Sequence, residues 1–215
     1  MERPGREAVV LIHGLFLNGY EMGFLRFQLS RAGYLPRRFR YHSVRSTPAS
    51  VARELRRVVQ ELDAGKIHFV CHSLGGLVIR HYFSLFEDFR HGRVVTLGTP
   101  HQGSDAARYL SMSAFGRKLL GKSNRHGVSG DVPAWKGACE LGSIAGTRSV
   151  GMGRAIADLS KPNDGTVAVA ETHLQGVKDH IALPVSHLGM LASRQVVIQV
   201  LHFLQQGRFA HTARI

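Results

Sequence analysis

Ile67-His68-Phe69-Val70-Cys71-His72-Ser73-Leu74-Gly75-Gly76-Leu77-Val78-Ile79 is the stretch whose reading decides the fold. Residues 67–70 are apolar and β-prone, and the run stops at a serine flanked by small residues. An apolar, helix-like segment follows. Strand, sharp turn and helix, with Ser73 at the tip, is a variant of the Gly-x-Ser-x-Gly nucleophile elbow. So tight a turn brings the residues two before and two after the serine together, and both must be small. Gly75 meets that demand; Cys71 stands where a glycine usually stands, and some strain is expected there. Gly76 lets the helix pack close to the sheet. The turn lifts Ser73 Oγ out of the sheet and sets the Leu74 N–H at a helix N-terminus, where developing negative charge is favoured. A serine that only caps a helix gives the same local pattern, so the rest of the chain must supply the partners.

Upstream, Ala8-Val9-Val10-Leu11-Ile12 is a continuous apolar run, the mark of a strand buried on both faces of a parallel sheet. His13-Gly14-Leu15-Phe16 follows at once. A glycine after a central strand lets the backbone turn N–H groups into a cleft, and the Leu15 N–H is the expected second oxyanion-hole donor. His13 reads as a brace for this loop. Residues 20–32 have helical spacing and stop at Gly33. Residues 38–44 alternate as a second strand. Thr47-Pro48 caps a helix whose stripe is Val51, Leu55, Val58, Val59 and Leu62.

Downstream, residues 93–97 form a buried strand that ends in Gly98-Thr99-Pro100-His101-Gln102-Gly103-Ser104, a loop at the ligand-binding edge of such a sheet. Residues 104–140 break the alternation of strand and helix, with apolar clusters around Leu110 and Phe115. They are expected to form a lid or cap whose inner face binds an acyl chain. Strands at residues 142–149 and 181–185, a helix over residues 189–206 and a frayed tail complete a single domain of 215 residues.

A serine hydroxyl needs a neighbouring base, and the base an orienting acid. Ser73, Asp164 and His187 each follow a strand, which places them on one edge of a parallel sheet in the order Ser, Asp, His. His187 is preferred to His173 and His180 because it lies between the last strand and the last helix. His72 is expected to point away from the nucleophile. Asp164 is preferred to Asp158 and Asp179 because its loop leaves room for a strand before His187. Phe16, His101, Leu110 and Phe115 are the candidate substrate-binding residues.

The content of 44% hydrophobic and 20% charged residues is that of a soluble globular chain, and no apolar run approaches a bilayer span. The start of the chain lacks the apolar core of a secretory signal; a cytoplasmic protein is expected, a secreted mature form being the alternative. Two cysteines do not make a disulfide framework. No zinc-ligand spacing is found, and no metal is expected. The net charge of +13 suggests weak contact with an anionic membrane surface. Without a nucleic-acid-binding motif it does not indicate a nucleic-acid partner.

Leu11-Ile12-His13-Gly14-Leu15, Cys71-His72-Ser73-Leu74-Gly75-Gly76, Leu97-Gly98-Thr99-Pro100-His101, Asn163-Asp164-Gly165-Thr166-Val167 and Ser186-His187 together resemble the α/β-hydrolase serine esterases and lipases, in particular small bacterial triacylglycerol lipases. The resemblance implies an α/β-hydrolase fold, with a mostly parallel sheet and helices on both faces. It also implies hydrolysis of an acyl ester or lipid through an acyl-enzyme, with no cofactor. An acyltransferase or thioesterase with the same triad, or a non-catalytic lipid-binding protein on the same fold, are the alternatives.

Overall fold

Strand β1 (Glu7–Ile12) shows how the sequence builds two cores at once. Successive side chains of a strand point to opposite faces. Ala8, Val10 and Ile12 join one apolar cluster, and Val9 and Leu11 join the other. Val9, Val10, Leu11 and Ile12 are all 0% exposed, so the strand is covered on both sides. This computed structural model describes residues 6–87, 90–124, 127–128, 130–136, 139–150 and 159–211.

The remaining strands are β2 (Leu35–Phe39), β3 (Lys66–His72), β4 (His91–Leu97), β5 (Leu141–Gly146) and β6 (Asp179–Leu183). They form one sheet in the order β2-β1-β3-β4-β5-β6, and every pairing is parallel. Helices α2 (Pro48–Gln60) and α3 (Leu74–Leu85) cover one face. Helix α1 (Gly23–Arg31) and the last helix cover the other. The Thr47 hydroxyl accepts the Ser50 N–H at the start of α2, as its sequence predicts.

Three expectations are corrected. The second strand lies at Leu35–Phe39, not at residues 38–44. It is the sheet edge, paired only with β1, which is why Pro36 and two arginines are tolerated there. Tyr41 and Ser43 instead leave the sheet and are buried against the loop after β1. The last helix does not start at residue 189: a 3-10 turn (Gly189–Ala192) comes first, and Ser193 caps the helix proper, Arg194–Gln206, by accepting the Val196 N–H. The tail is not frayed as far as His211. Gln199 exchanges two hydrogen bonds with Ala210, and Asp179 takes the Phe209 N–H and the His211 ring.

The excursion between β4 and β5 holds two short helices, α4 (Asp105–Ser111) and α5 (Ala114–Leu120), each capped by the serine before it. In chain order the helix Arg194–Gln206 is therefore α6.

Candidate active site

The elbow lies at the carboxyl end of β3. Ser73 has φ 52° and ψ −120°, a conformation that a non-glycine residue rarely adopts. It is held from both sides: the Ser73 N–H donates to the Leu97 carbonyl at 2.9 Å, and Thr99 Oγ1 donates to the Ser73 carbonyl at 2.9 Å. The strain sits on Ser73 rather than on Cys71, which is an ordinary buried β3 residue in register with Ile12 and Thr96. Burial pushes the Cys71 thiol up, away from the reactive thiolate. The need for small residues also comes from elsewhere. A Cβ on Gly75 would lie 2.5 Å from the Ile12 carbonyl oxygen, one on Gly14 would lie 3.0 Å from Ser73 Cβ, and one on Gly76 would strike Thr99.

Asp164 and His187 meet as the sequence predicts. His187 Nδ1 lies 2.7 Å from Asp164 Oδ2, and the His187 main-chain N–H donates to the Asp164 carbonyl at 2.9 Å. The other carboxylate oxygen accepts the N–H groups of Thr166 at 2.9 Å and Val167 at 2.7 Å. Asp164 is 0% exposed and His187 7%, so the pair is shielded from water. With its Nδ1–H directed at a carboxylate, His187 keeps Nε2 as the acceptor. Gly98, at φ 56°, forms the wall behind the pair: a Cβ there would lie 2.9 Å from Asp164 Oδ2 and 3.0 Å from His187 Nδ1.

Ser73 and His187 open on one cavity of about 310 Å³. Its walls are mainly apolar, including Leu15, Phe16, Ala107, Leu110, Leu120 and Val167. Of the substrate-binding candidates, Phe16 and Leu110 line it; His101 and Phe115 do not. His101 turns back into the protein, where its Nε2 meets Thr96 Oγ1 on the interior strand β4 at 3.1 Å, and Pro100 takes the place in the wall. Phe115 faces outward at 76% exposure.

The loop after β1 is braced at several points. His13 is 0% exposed, stacks on Tyr41 with ring centroids 4.2 Å apart, and donates from Nδ1 to the Gly14 carbonyl at 2.9 Å. Tyr41 Oη donates to the His13 carbonyl at 2.7 Å, and the Phe16 N–H donates to Ser43 Oγ at 3.1 Å. The Phe16 N–H is thus occupied, and Leu15 and Phe16 both line the cavity.

His72 is not among the residues that line the cavity with Ser73; its ring centroid lies 4.7 Å from that of His187, and its Nε2 donates to the His187 carbonyl at 3.1 Å. Complete burial holds His72 well below the usual histidine range, so it is neutral. The rivals His173 and His180 stack on each other at 4.2 Å, and Asp179 serves the C-terminal clasp. Asp158 lies outside the described residues. Sequence reasoning missed Ser43 and the contact of His72 with His187, neither of which carries a local signal; it places Gly98 in the loop at the ligand-binding edge but not against His187. Among the described residues, no group of three or more His, Cys, Asp or Glu side chains is placed to hold a metal ion, and no helix is long and apolar enough to cross a membrane.

Several solved structures share this architecture. The mature form of the lipase BlEst2 from Bacillus licheniformis superposes with a TM-score of 0.75 at 19% identity, over 95% of this chain and 93% of that chain. The metagenomic carboxyl esterase MGS0156 gives 0.65 at 20% identity, over 88% of this chain and 67% of that chain. A bromoperoxidase from Bacillus anthracis gives 0.65 at 14%, over 94% and 92%. At such identities the likeness is one of fold. A search of curated protein sequences finds no match. The model of the alpha/beta hydrolase family matches residues 9–200, and the chain belongs to that family.

Proposed function

We propose that the protein is a serine hydrolase that cleaves carboxylic esters with an apolar acyl group. The observation that carries this reading is the Asp164–His187 pair at 2.7 Å, shielded from water and opening with Ser73 on one apolar cavity. A cavity of about 310 Å³ lies at the lower end of small-molecule pockets. It suits one acyl chain of modest length. The excursion carrying α4 and α5 acts as a cap, since Ala107, Leu110 and Leu120 supply one wall.

In this reading His187 Nε2 takes the proton as Ser73 Oγ attacks the ester carbonyl. Asp164 fixes the imidazole tautomer and stabilises the imidazolium. The Leu15 and Leu74 N–H groups take the charge on the tetrahedral oxygen; one such donor is typically worth about 3–4 kcal/mol in the transition state. His187 then gives its proton to the departing alcohol, leaving an acyl group on Ser73. Water, deprotonated by His187, attacks that acyl-enzyme and releases the acid. No step calls for a cofactor.

The test is hydrolysis of a chain-length series of p-nitrophenyl esters by wild type and Ser73→Ala. Loss of the nucleophile is expected to lower kcat by roughly 10⁴–10⁶-fold. Undiminished turnover by Ser73→Ala would overturn the assignment.

A further inference from the structure

Phe16 and Leu17 line the apolar cavity and also a second, more open groove of about 710 Å³. The two spaces therefore meet at the loop that carries the Leu15 N–H, with Phe16 and Leu17 as their shared wall. Their chemistry differs. The cavity is apolar, whereas the groove is walled by Asn18, residues 40–45 and Glu54. Arg40, Arg45, His42 and Glu54 are all exposed there. Among the described residues neither Arg40 nor Arg45 is paired with a carboxylate. Arg40 lies 5.4 Å from the centre of the Tyr20 ring, which Arg38 also covers at 4.4 Å.

An ester with its acyl chain in the cavity must send its alcohol half out past Ser73. Among the described residues, two recesses share lining residues with the cavity. The smaller, about 330 Å³, meets it at Val150 and offers one cation, Arg148. The larger is the groove, which adjoins the loop where the developing oxyanion is held and offers two cations against one carboxylate. We propose that this groove receives the alcohol half of the substrate, and that Arg40 and Arg45 select alcohols bearing a negative charge, a carboxylate or a phosphate. The inference rests on the ester-hydrolase reading. Exposed charge pairs are individually weak, so the consequence is a preference rather than a requirement.

The experiment compares kcat/KM for a p-nitrophenyl ester and its ring-carboxylated analogue, both with the same acyl chain. A phosphate-bearing analogue separates the two anions. Wild type is expected to favour an anionic ester about tenfold at low salt, and added salt should erode the ratio. Arg40→Gln with Arg45→Gln brings the ratio to about one; Arg45→Glu takes it below one; Glu54→Gln raises it above wild type. The neutral ester reports in each sample that the variant is folded. A ratio unmoved by these changes, one abolished instead by Arg148→Gln, or a charge effect seen only on vesicles of anionic lipid overturns the proposal. Hydrolysis of neither ester overturns the hydrolase reading instead. The groove is then tested by equilibrium binding of decyl phosphate, and equal affinity in wild type and the double arginine variant overturns it.

Discussion

Ser43 Oγ accepts the Phe16 N–H at 3.1 Å, and Phe16 is held there at φ 62°, one of three non-glycine residues with positive φ among the described residues. The bond fixes the peptide next to Leu15, the candidate oxyanion donor. Ser43→Ala removes the acceptor from a buried site, an interaction worth about 1 kcal/mol. It is expected to lower kcat about fivefold with little change in KM, because an oxyanion donor acts in the transition state. Ser43→Thr, which keeps the hydroxyl, should recover most of the loss. A rise in KM with kcat unchanged would assign Ser43 to substrate binding instead.

Gly98 backs the acid–base pair so closely that a Cβ would lie 2.9 Å from Asp164 Oδ2 and 3.2 Å from His187 Cε1. Its φ of 56° already disfavours any side chain. Gly98→Ala should displace the imidazole and lower kcat by two orders of magnitude or more, on the order of the effect of a small misplacement at a reacting centre. Thermal unfolding of the variant checks that the fold persists. Full activity in a folded Gly98→Ala would show that the pair tolerates displacement.

Ala107 is buried and lines the cavity from α4. Ala107→Leu places three more carbons in a space of about 310 Å³. Each methylene of substrate that no longer fits loses about 0.8 kcal/mol, roughly fourfold in kcat/KM. The preferred p-nitrophenyl ester should therefore become shorter, with the shortest ester least affected. An unchanged chain-length profile would place the acyl chain elsewhere.

Burial pushes His101 down to about 3 and His180 down to about 4, and it lowers His13 and His72 as well. Each is neutral in the fold, whereas the unfolded chain takes up a proton near pH 6.5. Their stabilising effect is complete above that pH and is lost as the pH falls toward the folded values, at up to about 1.4 kcal/mol per unit for each group. The urea midpoint should therefore fall between pH 7 and pH 5. His101→Asn is expected to be less stable at pH 7 but to show a shallower decline. Parallel pH profiles for the two proteins would exclude His101 from the effect.

The sequence by itself determined the order of strands and helices, because apolar runs and amphipathic stripes are local patterns. It also determined the elbow at Ser73 and the succession of Ser73, Asp164 and His187, because a parallel sheet delivers successive strand ends to one edge. Tertiary structure alone decided which side chains turn into the cavity. His101 sits in the expected loop and Phe115 in the expected excursion, yet one turns back onto β4 and the other faces outward. A loop's direction depends on contacts made far along the chain. The β2 boundary depended on such contacts too: Tyr41 and Ser43 alternate like strand residues, but they leave the sheet edge to bond His13 and Phe16. The closeness of Gly98 to His187, and of His72 to the His187 carbonyl, joins residues far apart in the chain. No spacing rule encodes those contacts; only packing produces them.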